Sequence, residues 1–180
     1  MKKWKDWIIW FVVCAGIIAQ FVLGLFFLYN WARLDALLYI GWAVWASSFV
    51  LGWMPIFIFR QKGGVQKGEG YIQTTVLVDT GLYAVVRHPQ YLAMILLSLA
   101  LILISQHWLV ALISVAAMVS VYLAMREEDG RLIEKFGDDY KRYMESVPRA
   151  NFLVGFIRLA RHGTRPDIAK GGGTDETKED

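Results

Sequence analysis

The chain has 180 residues, 56% of them hydrophobic and 19% charged, with a net charge of +3 and a mean hydropathy of +0.40, against roughly 45–50% and ~25% in soluble domains. Most of its apolar residues fall in four blocks rather than at the periods that one-sided burial produces, so a single soluble globule is excluded and the chain reads as an all-α integral membrane protein. The one cysteine, Cys14, lies inside the first block, which excludes an internal disulfide framework, a CxxC redox pair and a cysteine-rich zinc site.

The first block, residues 7–29, contains 23 residues without a charge, enough to cross a hydrocarbon core of ~30 Å. It follows Lys2, Lys3 and Lys5 and lacks a small-residue cleavage site, so it reads as a retained helix rather than a signal peptide. The second block, 36–59, has 24 uncharged residues; together the two form an N-terminal membrane region over 1–60. A polar loop over 61–90 comes next. Its Gly- and Lys-rich part, 61–70, reads as a flexible linker, and 71–78 is rich in β-branched residues but alternates poorly. Neither a Walker loop nor a dinucleotide fingerprint is present.

The third block, 91–105, is short, but Pro89 is well placed as its first helical residue and extends it to 17, a rise of ~25 Å. Only Ser105, Gln106 and His107 separate it from the fourth block, 108–125, so the two form a tight hairpin. Charge counting is satisfied equally by a full crossing and by a re-entrant hairpin. Beyond it, Leu132, Phe136, Tyr140, Tyr143 and Val147 recur at steps of four, four, three and four. They line one face of an amphipathic helix that ends near Pro148 and lies on the bilayer or on the loop. Residues 149–162 contain a further interfacial segment, and 163–180 is a Gly- and charge-rich tail expected to be disordered.

Eighteen of the nineteen basic residues fall on one side of this layout, with Arg33 the exception, which predicts cytoplasmic N- and C-termini. Trp4 and Trp7 mark one boundary and Trp31 and Trp108 the other, as an aromatic belt does, while Trp42, Trp45 and Trp53 read as packing residues.

The hairpin brings two charged clusters side by side: Arg87 and His88 before the third block, and Arg126, Glu127, Glu128 and Asp129 after the fourth. One reading is a salt bridge that staples the hairpin ends. The other is a pocket for a zwitterion, its carboxylate on Arg87 and its ammonium on Glu128 or Asp129, with Tyr83 and Tyr91 as aromatic walls. His88, directly before Pro89, either caps the helix or takes part in acid–base chemistry. The three histidines, His88, His107 and His162, have no ligand-like spacing, so no metal is expected. Nucleic acid is not expected either, because the basic residues are explained by membrane orientation.

The run Gly81-Leu-Tyr83-Ala-Val-Val-Arg87-His88-Pro89-Gln-Tyr91 resembles the G-x-Y-x-x-x-R-H-P-x-Y signature of the isoprenylcysteine carboxyl methyltransferase family and its phospholipid methyltransferase relatives. Downstream, Glu128-Asp129-Gly-Arg-Leu132-Ile-Glu-Lys-Phe136-Gly137-Asp-Asp-Tyr140-Lys-Arg-Tyr143 is similar to their E-E-x-x-L-x-x-x-F-G-x-x-Y-x-x-Y block. The resemblance covers 77–148. Here the second acidic position is Asp129 rather than Glu and Glu127 precedes the pair, which leaves open which carboxylate serves.

The resemblance implies a membrane enzyme that uses S-adenosylmethionine and methylates a lipophilic acceptor entering from the bilayer: an isoprenylcysteine-like carboxylate, a lipid amine, a thiol or another lipophilic acid. Carried over by position, Arg87, His88, Glu128 and Asp129 belong to the cofactor site, Tyr83 and Tyr91 flank it, and Leu77, Val78 and Gly81 line the adenosine. Arg87, which orients an acceptor, and Glu128, which takes the proton of an amine, are the catalytic candidates. Two other classes compete. A non-catalytic scaffold predicts no cofactor binding, and a membrane reductase of the sterol reductase type requires NADPH, a polyanion that the acidic cluster disfavours.

Overall fold

An uncharged block in hydrocarbon must satisfy its own amides, and a helix does so within the segment. The structure, a computed structural model, describes residues 2–62 and 75–162; residues 63–74 of the polar loop and the tail 163–180 lie outside it. Every regular element among the described residues is helical. They are α1 (Lys2–Val22), prolonged by a π-turn (Leu23–Phe27), α2 (Asp35–Lys62), a 3-10 turn (Gly81–Ala84), α3 (Pro89–Ser105), α4 (Trp108–Phe136), α5 (Asp138–Ser146) and α6 (Phe152–His162). Trp7–Phe27, Asp35–Gln61 and Trp108–Phe136 are long and apolar enough to cross a membrane, and Pro89–Ser105 is a shorter apolar helix. The chain is an all-α integral membrane protein.

The packing order is α2, α3, α4, α1, with α3 between α2 and α4. Small residues set the spacing. A Cβ on Gly41 would lie 2.8 Å from Ile104 Cγ1, and one on Gly52 would lie 3.5 Å from Ala93 Cβ, so α2 and α3 stay antiparallel and close over eleven residues. Gly16 meets Ala117 in the same way, and Gly24 meets Val110, which holds α1 antiparallel to α4.

At one rim, the amides of Asn30 and Trp31 donate to the carbonyls of Ile104 and Ser105. Gln106 turns left-handed (φ 55°) to end α3 and brackets Leu34, accepting its N–H at 3.0 Å and donating to its carbonyl at 2.9 Å. His107 Nδ1 then accepts the Leu109 N–H and starts α4. Helix α3, though short, therefore reaches the same rim as its neighbours. Between the helices, Gln20 is fully buried, donating to Ser98 Oγ at 3.1 Å and accepting from Ser114 Oγ at 2.5 Å. It ties α1 to α3 and α4 where unpaired polar atoms are costly.

The expected single helix carrying Leu132 to Val147 is broken. Gly137, at φ 59°, ends α4 and begins α5, whose first turn bears Asp138 and Asp139, as the helix dipole favours. The apolar stripe turns inward: Tyr140, Tyr143 and Val147 are buried together and pack with Leu77, Leu132 and Phe136. It covers the loop rather than the bilayer, because Leu77 brings that loop back over it.

Candidate functional site

The end of the bundle opposite that rim is where the polar side chains converge. The 3-10 turn starts at Gly81 (φ 65°), buries Tyr83 and Ala84, and leads through Val85 and Val86 into Arg87 and His88. The Arg87 and His88 amides donate to the carbonyls of Pro148 and Arg149, which clips this segment to the end of α5. Pro89 at the first position of α3 lacks the N–H that would otherwise go unpaired there. His88 occupies the cap position, but its side chain makes no capping bond. Its ring instead meets Asp129.

Asp129 is 3% exposed and accepts from several elements at once. His88 Nε2 lies 2.7 Å and Arg87 Nη1 3.2 Å from Oδ1, the Tyr140 hydroxyl donates to the same oxygen at 2.6 Å, and Arg149 Nε donates to Oδ2 at 2.7 Å. Arg149 also reaches the Tyr122 hydroxyl at 3.3 Å. The Tyr143 hydroxyl donates to the Tyr83 carbonyl at 2.6 Å, which fixes the 3-10 turn on α5. Burial pushes the phenols of Tyr140 and Tyr143 well up, and for Tyr140 the hydrogen bond to the Asp129 carboxylate adds to the shift, so both remain neutral donors.

Beside this network is a cavity of about 710 Å³, in the range of small-molecule sites. Its polar end is formed by Tyr83, Arg87, His88, Tyr91, Glu128, Arg131, Tyr140 and Tyr143 with Val76, Leu77 and Val78; its other walls are Trp45, Phe49, Gly52, Trp53 and Ile56 of α2, Ala93, Met94 and Leu97 of α3, and Trp10 and Phe21 of α1. Phe59 stacks on Tyr83 at 4.8 Å between ring centroids, and His88 meets Tyr91 edge-on at 5.5 Å. Arg87 Nε is buried with no hydrogen-bond partner among the described residues.

Of the residues expected from sequence, Leu77, Val78, Tyr83, Arg87, His88, Tyr91 and Glu128 line this one cavity, whereas Gly81 and Asp129 do not. Gly81 supplies the left-handed entry to the turn, and Asp129 is the buried anchor of the hairpin ends. The salt-bridge reading of the charged clusters is realised at Asp129. Glu128 lies on the cavity wall, bridged at 2.6 Å to Arg131 on the next turn of α4. Tyr140, Tyr143 and Arg131 belong to the cavity and Arg149 to the network; the sequence alone places the two tyrosines on an amphipathic face and gives the two arginines no role. Trp45 and Trp53 are cavity walls rather than mere packing. The signal for the tyrosines was their place in the second motif; Arg149 carried none.

A family model described as phospholipid methyltransferase matches residues 37–139, more than half of the chain. The chain belongs to that family. The match runs from the first turn of α2 to the first turn of α5 and so includes the cavity's principal walls. These are integral membrane methyltransferases, related to the isoprenylcysteine carboxyl methyltransferases that the sequence resembles. Comparison with curated proteins and with solved structures yielded no match.

Proposed function

We propose that the protein is an S-adenosylmethionine-dependent methyltransferase whose cofactor occupies the polar end of the cavity and whose acceptor is a lipophilic molecule admitted from the bilayer. The observation that carries this reading is one cavity with two chemistries: fixed charges and tyrosines at the Arg87 end, and aromatic and aliphatic walls on α1, α2 and α3. The polar end suits the methionine moiety, a zwitterion. Arg87 offers a buried Nε without a partner, and Glu128 is the one carboxylate on the cavity wall among the described residues. Leu77, Val78 and Tyr83 supply a partly apolar surface for the adenosine.

When bound, the cofactor supplies a methyl group activated by a sulfonium. The protein's own contribution is alignment, which reaches ~7–11 kcal/mol in favourable systems. Arg87, held by Asp129, binds a carboxylate; Glu128 binds an ammonium and is the group on hand to accept a proton from an amine acceptor. Tyr140, tied to Asp129, and Tyr143, tied to the Tyr83 carbonyl, keep the walls in place. The packing of α2 on α3 and of α1 on α4 leaves the aromatic face of α2, where Phe49 and Trp53 are more than half exposed, as the side from which an acyl or prenyl chain enters. The skewed basic residues support an orientation in which the Arg87 end is cytoplasmic.

The test is transfer of labelled methyl from S-adenosylmethionine into organic-extractable product by detergent-purified protein supplied with lipid extracts, alongside calorimetric titration with S-adenosylhomocysteine. Saturable binding and transfer, both lost in Arg87→Ala and Glu128→Ala, are expected. Folded, monodisperse wild-type protein that neither binds nor transfers would refute the proposal.

A further inference from the structure

Helix α6 packs one face on the protein and leaves an apolar face outside. Its start is capped by Asn151, whose Oδ1 accepts the Val154 N–H at 3.1 Å. On the inner face a Cβ at Gly155 would overlap the Val85 carbonyl, so the helix backbone lies directly against the segment that follows the 3-10 turn. Arg158 donates to the Ala84 carbonyl at 2.6 Å, and Leu159 packs with Val85, Val86 and Leu92. The inner face therefore grips the turn that presents Tyr83 to the cavity.

The outer face is Leu153, Phe156 and Ile157, spaced as one helical stripe and 74%, 57% and 50% exposed. Its depth is shown by its neighbours. Phe152 and Leu153 line a groove of about 870 Å³ together with Ser47, Val50 and Leu51 of α2 and Leu92 and Leu96 of α3. Leu51 and Ser47 are nine and thirteen residues from Arg60, that is ~14 and ~20 Å along α2, so the start of α6 is level with the interior of an apolar span. Val50, beside it, is 62% exposed on that same span. The outer stripe of α6 is thus continuous with a membrane-facing surface.

We propose that α6 is seated in the bilayer leaflet at the Arg87 end, with lipid acyl chains against Leu153, Phe156 and Ile157 and in the groove between α6, α2 and α3, and that this contact clamps the Gly81–Ala84 turn. The importance of the clamp for catalysis rests on the cofactor reading above; the seating and the clamping do not. A helix of this polarity binds a leaflet in proportion to its buried apolar area. Through Gly155 and Arg158 the bilayer becomes a structural partner of the turn.

Single cysteines at Leu153→Cys and Ile157→Cys, in a Cys14→Ser background, are labelled with a small fluorophore in nanodiscs. Lipids spin-labelled in mid-chain and a water-soluble nickel quencher are compared, with Asp139→Cys on exposed α5 as the aqueous reference. Several-fold stronger quenching by the lipid label at 153 and 157 than at 139 is expected; quenching that matches position 139 overturns the seating. For the clamp, hydrogen exchange over residues 81–88 is measured in Leu153→Ser/Ile157→Ser, which alters only outward side chains. Exchange about tenfold faster is expected, and exchange equal to wild type overturns the clamp. Failure of wild-type protein to bind S-adenosylhomocysteine in the same discs sinks the cofactor reading and leaves both of these results to decide the proposal.

Discussion

Replacing Asp129 with asparagine keeps the volume of the side chain and removes the charge that His88, Arg87, Tyr140 and Arg149 share. Each hydrogen bond to a charged group contributes ~1.5–3 kcal/mol net, but the four are not additive, since the amide oxygen still accepts from some donors. The larger effect is that Arg87, itself 9% exposed, loses its counter-charge. Breaking a buried pair in this way costs about 3–5 kcal/mol, a large part of the ~5–15 kcal/mol that holds a domain folded. The control is Asp139→Asn. Its ion pair with Arg142, at 2.5 Å, is as short, but both side chains are more than half exposed, so its loss should cost less than about 1 kcal/mol. Denaturant titration in mixed micelles, followed by circular dichroism, compares the two. If Asp129→Asn falls within 1 kcal/mol of wild type, or no further from it than Asp139→Asn, the view of Asp129 as the anchor of the hairpin ends is wrong.

Glu128→Gln should behave oppositely: its bridge to Arg131 is partly exposed, so unfolding should shift by under about 1 kcal/mol, while calorimetry should show S-adenosylhomocysteine binding at least tenfold weaker, ~1.4 kcal/mol. Trp53→Ala removes an aromatic side chain from the α2 wall of the cavity; labelled-methyl assays should show kcat/KM for the lipophilic acceptor falling at least tenfold with affinity for S-adenosylhomocysteine unchanged. The raised phenols predict an alkaline limit. Groups whose folded pKa lies above the ordinary 10 stabilise the fold fully below pH 10 and lose that contribution as pH rises further. Melting temperature against pH should therefore drop above about 10, and less steeply in Tyr143→Phe.

What the sequence made legible is what depends on local pattern. Uncharged runs became α1 to α4, Pro89 began α3, and the polar break at Gln106 and His107 became the hairpin turn, because each follows from backbone satisfaction or a residue's own conformational bias. The clustering of Arg87, His88 and Glu128 followed from the hairpin's geometry. Illegible were the features decided by which face meets what. Trp45 and Trp53 lie in an apolar run with no polar face to give their direction, and only the packing of α3 on α2 turns them to the cavity. The Leu132 to Val147 stripe reads equally as covering the bilayer or the loop, because hydrophobic periodicity records a face and not its partner; its partner is the loop residue Leu77, more than fifty residues upstream. Arg149 joins Asp129 from a segment with no regular structure of its own, where no period exists to be read.

The adjacent carboxylates show how little room the site leaves for a shift of register. Consecutive residues on an α-helix point about 100° apart. With Asp129 directed at His88 and Tyr140, Glu128 is turned onto the cavity wall, and its partner Arg131, three positions on, shares its face. Glu127 lies a further step round, some 200° from Asp129, and is not on the cavity wall. Taking the acidic pair one residue earlier, as Glu127 and Glu128, would therefore leave the buried guanidinium of Arg87 without the counter-ion that Asp129 provides and would call on Glu127, which is not on the cavity wall. The Asp in the inner position places its carboxylate between Arg87 and Arg149 and leaves Oδ1 within reach of the Tyr140 hydroxyl. The longer Glu in the outer position has the reach to meet either Arg131 or a ligand's ammonium, and that choice is the one the cofactor would make.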